Sequence, residues 1–213
     1  MPLPLPCLML VTDRALCGRP ESLVATVEDA LSGGVDAVQL REKDLPPDEL
    51  LPLASRLREV ARGRALLIVN GPLEVALACG ADGVHLPESV PMIERPSRHF
   101  LVGRSVHSLE AVLRAQAEGI DYLIAGPVYE TRSHPGVPPD GIGLIQEVAQ
   151  AARIPALAIG GITSERVREA IAAGAAGVAV ISAILAAPSP LEAARDLRRA
   201  LDVAWAEVRV LRP

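Results

Sequence analysis

Four consecutive charged residues, Arg41, Glu42, Lys43 and Asp44, follow the apolar run Val38-Gln39-Leu40 without a spacer. Both signs of charge at the end of an apolar run mark either a strand end reaching solvent or a strand opening onto a polar cavity. The runs at residues 66–70, 83–85, 101–105 and 156–161 also end in polar or glycine residues, and that recurrence favours a cavity. Alternate residues of a strand share a face, so Arg41 and Lys43 point into one space and Glu42 points elsewhere. Two cations beside the amide of Asn70 suit a carboxylate or a phosphate. Gly160-Gly161, leading through Ile162-Thr163 into a helical pattern, lets backbone N–H groups approach an anion, and Ser182 adds an N–H or a hydroxyl. His85 and His107 end two further runs. Imidazole suits proton transfer at neutral pH, although a single histidine is more often a core residue with satisfied hydrogen bonds. Residues 126–143 are rich in Pro and Gly and carry Tyr129, Thr131, Arg132, Ser133 and His134. A loop of that length in a compact domain is usually functional or mobile.

These residues need elements to hold them. The chain has 213 residues, half of them hydrophobic and only 2% aromatic, so its core is built from Ala, Val, Leu and Ile. That composition fits buried parallel strands under helices better than a sandwich of antiparallel sheets. Apolar runs at 8–12, 35–40, 66–69, 84–86, 101–106, 122–125, 156–159 and 177–181 read as eight strands, with helical patterns between most of them. The pattern from Pro20 to Leu31 places Leu23, Val24, Val27, Ala30 and Leu31 on one face and stops at Gly33-Gly34. The last helix runs from Pro190 to about Val208, and residues 87–96 are irregular. Gly34-Val35-Asp36, Gly80-Ala81-Asp82, Gly119-Ile120-Asp121 and Gly174-Ala175-Ala176 each join a helix to a strand. In them the glycine stops the helix and the aspartate ties the turn, which makes them structural. The alternation predicts an α/β fold, a single-domain TIM (β/α)8 barrel spanning residues 1–213. A doubly wound open sheet is the alternative; it calls for a glycine-rich fingerprint after the first strand, and Thr12-Asp13-Arg14-Ala15 is not one. In a barrel the site lies at the C-terminal strand ends, with phosphate at the loops after strands seven and eight, where Gly160, Gly161 and Ser182 fall.

Charge and composition exclude other classes. There are 26 acidic residues against 21 basic ones, and no basic stripe, which disfavours nucleic acid as a partner. Cys7, Cys17 and Cys79 are odd in number and lack metal-ligand spacing, as expected of thiols in a reducing compartment. The proline-broken N-terminus lacks the basic start of a signal peptide, and no apolar run reaches ~18 residues, so a cytoplasmic protein with no membrane partner is expected. No metal site stands out: Asn70 is followed by Gly71, and Glu88 stands alone after Leu86-Pro87.

Residues 39–44 (Gln-Leu-Arg-Glu-Lys-Asp), 81–86 (Ala-Asp-Gly-Val-His-Leu), 105–108 (Ser-Val-His-Ser), 126–128 (Gly-Pro-Val) and 158–162 (Ala-Ile-Gly-Gly-Ile) together resemble the thiamine-phosphate synthase family. The match is collinear over nearly the whole chain. It implies a TIM barrel that handles the thiazole phosphate of thiamine biosynthesis. The family has two branches: the synthase, which joins a pyrimidine pyrophosphate to that thiazole, and TenI-type thiazole tautomerases. Synthases carry Asn-Asp after strand three and an acidic residue after Gly-Gln following strand four, both serving Mg-pyrophosphate; here stand Asn70-Gly71 and Pro87-Glu88-Ser89. A Thr-x-Thr-Lys loop after strand six is here Thr131-Arg132-Ser133-His134. These departures resemble TenI, and imply an isomerase without cofactor that aromatises a carboxythiazole phosphate by a 1,3-proton shift. Gly160, Gly161 and Ser182 would then hold the phosphate and Arg41 and Lys43 the carboxylate. Asn70 and Thr131 are further substrate contacts, and His107, then His85 and His134, are the proton carriers. TenI-type enzymes can place a catalytic histidine where this chain has Pro127, so that role does not transfer. Two rivals stand beside this reading: the synthase itself, with magnesium, and a non-catalytic phosphate-ligand-binding regulatory protein, which Pro127 favours. The partner in each case is a small molecule, and a homo-oligomer is left open.

Overall fold

Eight parallel strands pair in chain order and close on themselves, β8 hydrogen-bonding back to β1. They are β1 (Cys7–Val11), β2 (Ala37–Leu40), β3 (Leu66–Val69), β4 (Gly83–Leu86), β5 (Leu101–Val106), β6 (Tyr122–Ala125), β7 (Ala156–Ile159) and β8 (Gly177–Val180). Around them lie α1 (Leu23–Ser32), α2 (Pro47–Ala61), α3 (Leu73–Cys79), α4 (Leu109–Ala117), α5 (Gly141–Ala151), α6 (Ser164–Ala172), α7 (Ser182–Leu185) and α8 (Pro190–Leu211). The computed structural model describes residues 2–19, 22–131, Gly136 and 138–211. The fold is the expected TIM barrel. The expected helix start at Pro20 and Glu21, and His134 with its neighbours Arg132 and Ser133, lie outside the described residues. No helix among the described residues is long and apolar enough to cross a membrane.

The period of two divides each strand between two cores. Outward residues such as Leu8, Val38, Leu67 and Val102 join the apolar faces of the helices. Inward residues (Met9, Ile68, Leu101, Tyr122 and Leu157 among them) fill the barrel itself, and Leu3 closes its N-terminal end. Each fully buried aliphatic side chain contributes roughly 1.5–3 kcal/mol. The scarcity of aromatics leaves Tyr122 as the one large ring of the inner core. It lies level with Gly103 and His85 in the strand register. A Cβ on Gly103 would come within 2.1 Å of the Tyr122 ring, so the glycine makes the room that the ring takes.

The helix-to-strand turns are tied as the sequence suggests, with partners that only the fold brings near. Asp36 Oδ2 accepts from Leu8 N–H (2.8 Å) and Arg198 Nη1 (2.7 Å). Asp82 Oδ2 accepts from Leu67 N–H (2.8 Å) and Arg58 Nη1 (2.7 Å). Asp121 Oδ2 accepts from Val102 N–H and Arg95 Nη1, both at 2.7 Å. In the fourth turn Ala176 makes the equivalent backbone bond, N–H to Ala156 O at 2.8 Å, without a carboxylate.

Two segments depart from expectation, and a third, residues 87–96, is irregular as expected. The short α7 sits directly after β8. The long loop is ordered at its start, where Val128 N–H and Tyr129 N–H donate to Ile159 O (2.8 Å) and Gly160 O (3.0 Å), and α5 already begins at Gly141. Residues 87–96 are irregular but anchored: buried Arg104 donates from Nη1 to the carbonyls of Val90 (2.9 Å) and Glu88 (3.3 Å).

Candidate active site

A cavity of about 480 Å³ opens at the C-terminal ends of the strands, and the inward-pointing end residues line it. Strand alternation sorts the charge run that ends β2. Glu42 faces outward, 5% exposed. Its carboxylate takes Arg14 N–H (3.1 Å) and Nη1 (3.0 Å), while Arg14 Nη2 pairs with Asp44 at 2.6 Å. One arginine thereby engages both acids. Arg41 and Lys43 face the cavity and make no ion pair among the described residues. The Arg41 guanidinium, and to a lesser degree burial, pulls the Lys43 ammonium below its ordinary pKa. Arg41 N–H donates to Thr12 Oγ1 at 2.8 Å, which fixes the strand end. Two held cations without a counter-charge form a site prepared for an anion.

The floor is polar and neutral. Asn70 Nδ2 donates to Gln39 Oε1 at 3.0 Å. His85 is 1% exposed, with Nδ1 3.3 Å from the Tyr122 hydroxyl and Nε2 2.9 Å from Ser105 Oγ. Burial first, then the charges of Arg41 and Arg104, push its pKa down to about 3. His85 is therefore an uncharged imidazole with both nitrogens engaged. His107, four residues beyond Gly103 on the β5 side, stands higher, at the exposed rim. Its Nδ1 bonds the carbonyl oxygen of Gly126. A carbonyl only accepts, so Nδ1 carries the proton and Nε2 is left to exchange one. His107 N–H donates to Glu88 Oε2 at 2.9 Å, and Glu88 Oε1 lies 3.6 Å from Arg114 Nη2.

The opposite wall offers backbone. The carbonyls of Ile159 and Gly160 are held by the 126–130 segment, and in a trans peptide the following N–H points the other way. The N–H groups of Gly160 and Gly161 thus face the cavity, and with that of Ser182 they have no acceptor among the described residues. Such a concavity of N–H groups binds anions. Glycine is required twice. Gly160 has φ +101° and Gly161 φ +61°, and a Cβ would come within 2.7 Å of Pro127 Cα at the first and 2.6 Å of Glu130 O at the second.

Arg41, Lys43, Asn70, His85, His107, Thr131, Gly160, Gly161 and Ser182 all line this one cavity; His134 lies outside the described residues. Gln39, Ser105 and Asp140 line it as well. The first two were legible by alternation, standing two residues before Arg41 and His107. No cluster of three or more His, Cys, Asp or Glu side chains occurs among the described residues. Gly71 supplies no ligand, and the carboxylates that line the cavity are those of Glu88, which accepts from His107 N–H, and Asp140.

Known proteins share this chain's sequence and its fold. The family model described as thiamine monophosphate synthase matches residues 8–184. The thiamine-phosphate synthase of Methanoregula boonei is 40% identical over 208 residues, covering 95% of this chain and 96% of that protein. That of Pyrococcus horikoshii is 39% identical over 199 residues, covering 92% and 94%. The solved thiamine phosphate pyrophosphorylase of Pyrococcus furiosus superposes with a TM-score of 0.81 at 34% identity, covering 93% of this chain and 96% of that one.

Proposed function

Because the chain belongs to the thiamine monophosphate synthase family, whose members are enzymes of thiamine biosynthesis, we propose that it joins a pyrimidine pyrophosphate to thiazole phosphate. The observation that carries this reading is that one cavity has two anion-binding ends. Arg41 and Lys43, beside Asn70, form one; Gly160, Gly161 and Ser182 form the other. A reaction between two phosphorylated molecules needs both. In this reading the glycine turn holds the thiazole phosphate and the two cations hold the pyrophosphate, stabilising its charge as it leaves. The neutral floor of Gln39, Asn70, His85 and Ser105 offers hydrogen bonds to the rings between them. The names of the relatives support this transfer over the tautomer shift that the departures at Gly71 and Glu88 suggest in the sequence. Magnesium is the family's usual companion of pyrophosphate. Glu88 and Asp140 are the carboxylates that could hold it, and the positive charge this chain itself offers is that of Arg41 and Lys43.

The tautomer shift is the second reading, favoured by His107, whose Nδ1 is committed to Gly126 O and whose Nε2 is left for proton transfer. There Arg41 and Lys43 would hold the substrate carboxylate. One experiment separates the readings: incubate the protein with pyrimidine pyrophosphate and thiazole phosphate, with and without Mg²⁺, and in parallel with the carboxythiazole phosphate tautomer. Thiamine phosphate in the first mixture is the expected product. Its absence, together with accelerated aromatisation in the second, would install the tautomerase. Ligand binding without either reaction would leave a regulatory binding protein.

A further inference from the structure

Behind the Gly160-Gly161 turn, on the side away from the cavity, lies a cluster of three side chains: Tyr129, Arg166 and Glu169. Arg166 Nη1 donates to the carbonyl of Gly161 at 2.7 Å. Its guanidinium carbon lies 4.4 Å from the centroid of the Tyr129 ring. The Tyr129 hydroxyl donates in turn to Glu169 Oε2. Burial, then the Glu169 carboxylate, pushes the Tyr129 phenol up to about 12, so it keeps its proton and goes on donating throughout the neutral range.

Three successive carbonyls are therefore held from outside: Ile159 by Val128 N–H, Gly160 by Tyr129 N–H, and Gly161 by the Arg166 guanidinium. The first two are backbone bonds that continue the strand ladder. The third depends on a side chain. Gly161 has φ +61° and no side chain of its own to resist rotation of the Gly161–Ile162 peptide. If that peptide turns over, a carbonyl oxygen replaces the Ile162 N–H on the cavity side, and its negative end meets the anion.

We propose that Arg166, although it does not line the cavity, is a positioning residue for the phosphate. It fixes the Gly161–Ile162 peptide so that the N–H groups of Gly160, Gly161 and Ile162 all face the anion, and Tyr129 and Glu169 hold it in place. The proposal rests on reading this turn as the phosphate end of the site. It accounts for a stacked arginine bonded to a backbone carbonyl at an exposed position, where a lone surface ion pair would contribute little.

The test measures the affinity of inorganic phosphate by calorimetry for the wild type, Gly161→Ala, Arg166→Ala and Tyr129→Ala, at low and high salt. Gly161→Ala reports on the turn itself. Arg166→Ala is expected to weaken phosphate about tenfold, as loss of a charge-assisted hydrogen bond does, and to do so at both salt concentrations. Tyr129→Ala removes the shelf beneath the guanidinium without changing any charge, and is expected to weaken it in the same direction. In turnover, both variants should raise KM for thiazole phosphate and leave kcat near the wild-type value. Wild-type affinity in Arg166→Ala beside a weakened Gly161→Ala overturns the proposal and spares the site reading. An Arg166→Ala effect that vanishes at high salt also overturns it, since a through-space charge is screened whereas a fixed peptide is not. If Gly161→Ala itself binds like the wild type, the phosphate reading falls and takes the proposal with it.

Discussion

At the two ends of this barrel the same kinds of side chain serve opposite purposes. At the N-terminal end Asp36, Asp82 and Asp121 each meet an arginine at 2.7 Å and a strand N–H besides, so each of these carboxylates is answered. At the C-terminal end Arg14 takes both acids of the charge run, and Arg41 and Lys43 remain side by side without a counter-ion among the described residues. Answered charges tie elements together. Unanswered ones cost stability and are worth that cost only if a ligand answers them. An arginine's sign does not reveal its role; the face of the strand on which its partner stands does.

The largest test of this contrast is Arg41→Ala. It should lower kcat/KM about 100-fold, the loss of a charge-assisted contact to an anionic substrate. Its melting temperature should hold or rise, because one of two neighbouring like charges is gone. A drop in thermal stability alongside the lost activity would make Arg41 a structural tie like those at the other end.

Asp82→Ala should do the reverse. Breaking a part-buried tie to Arg58 and the Leu67 N–H should cost about 2 kcal/mol in urea unfolding, with the turnover of the folded enzyme unchanged. Lost turnover at full stability would erase the distinction between the two ends.

The pH dependence sharpens the contrast. The folded-state pKa of Lys43 lies below its ordinary value of 10.5, chiefly because of Arg41. Its ammonium is therefore disfavoured by folding, and its contribution to stability improves as pH rises through the lowered pKa towards 10.5. Pyrophosphate affinity should fall across the same window as the charge is lost. In Arg41→Ala both changes should move to higher pH; calorimetric titration against pH checks the affinity limb, and an unmoved limb would assign it to another group.

The smallest effect is expected at the fourth turn. Ala176→Asp supplies a carboxylate to the strand N–H of Ala156 where no arginine stands ready, and should stabilise by about 0.5 kcal/mol. A stabilisation as large as that of the three natural ties would mean that the arginines contribute nothing to them.

Much of this architecture is legible in the order of residues alone. The eight strands follow from apolar runs that stop at polar or glycine residues, and the opposite fates of Glu42 and Lys43 follow from the period of two. The arginine partners are not legible, because closure chooses them: Arg198 stands 162 residues from Asp36. The sequence separates His107 from His85 only narrowly. Register separates them widely, placing His85 level with Gly103 and against the Tyr122 hydroxyl while His107 stands about 13 Å further along its neighbouring strand. The turn at Gly160-Gly161 is visible as glycine, but Arg166 behind it reads as one more exposed charge on a helix. The order of residues 126–130 is hidden because loop bonds to carbonyls of β7 leave no periodicity.

Leu3, buried where the inner core ends, makes the barrel a cup with one mouth. Whatever enters between Arg41 and the glycine turn must leave by the way it came. Arrivals and departures therefore share a single doorway, and a finished molecule still seated there bars the next. The product is therefore expected to inhibit by occupying the one doorway that both substrates must use.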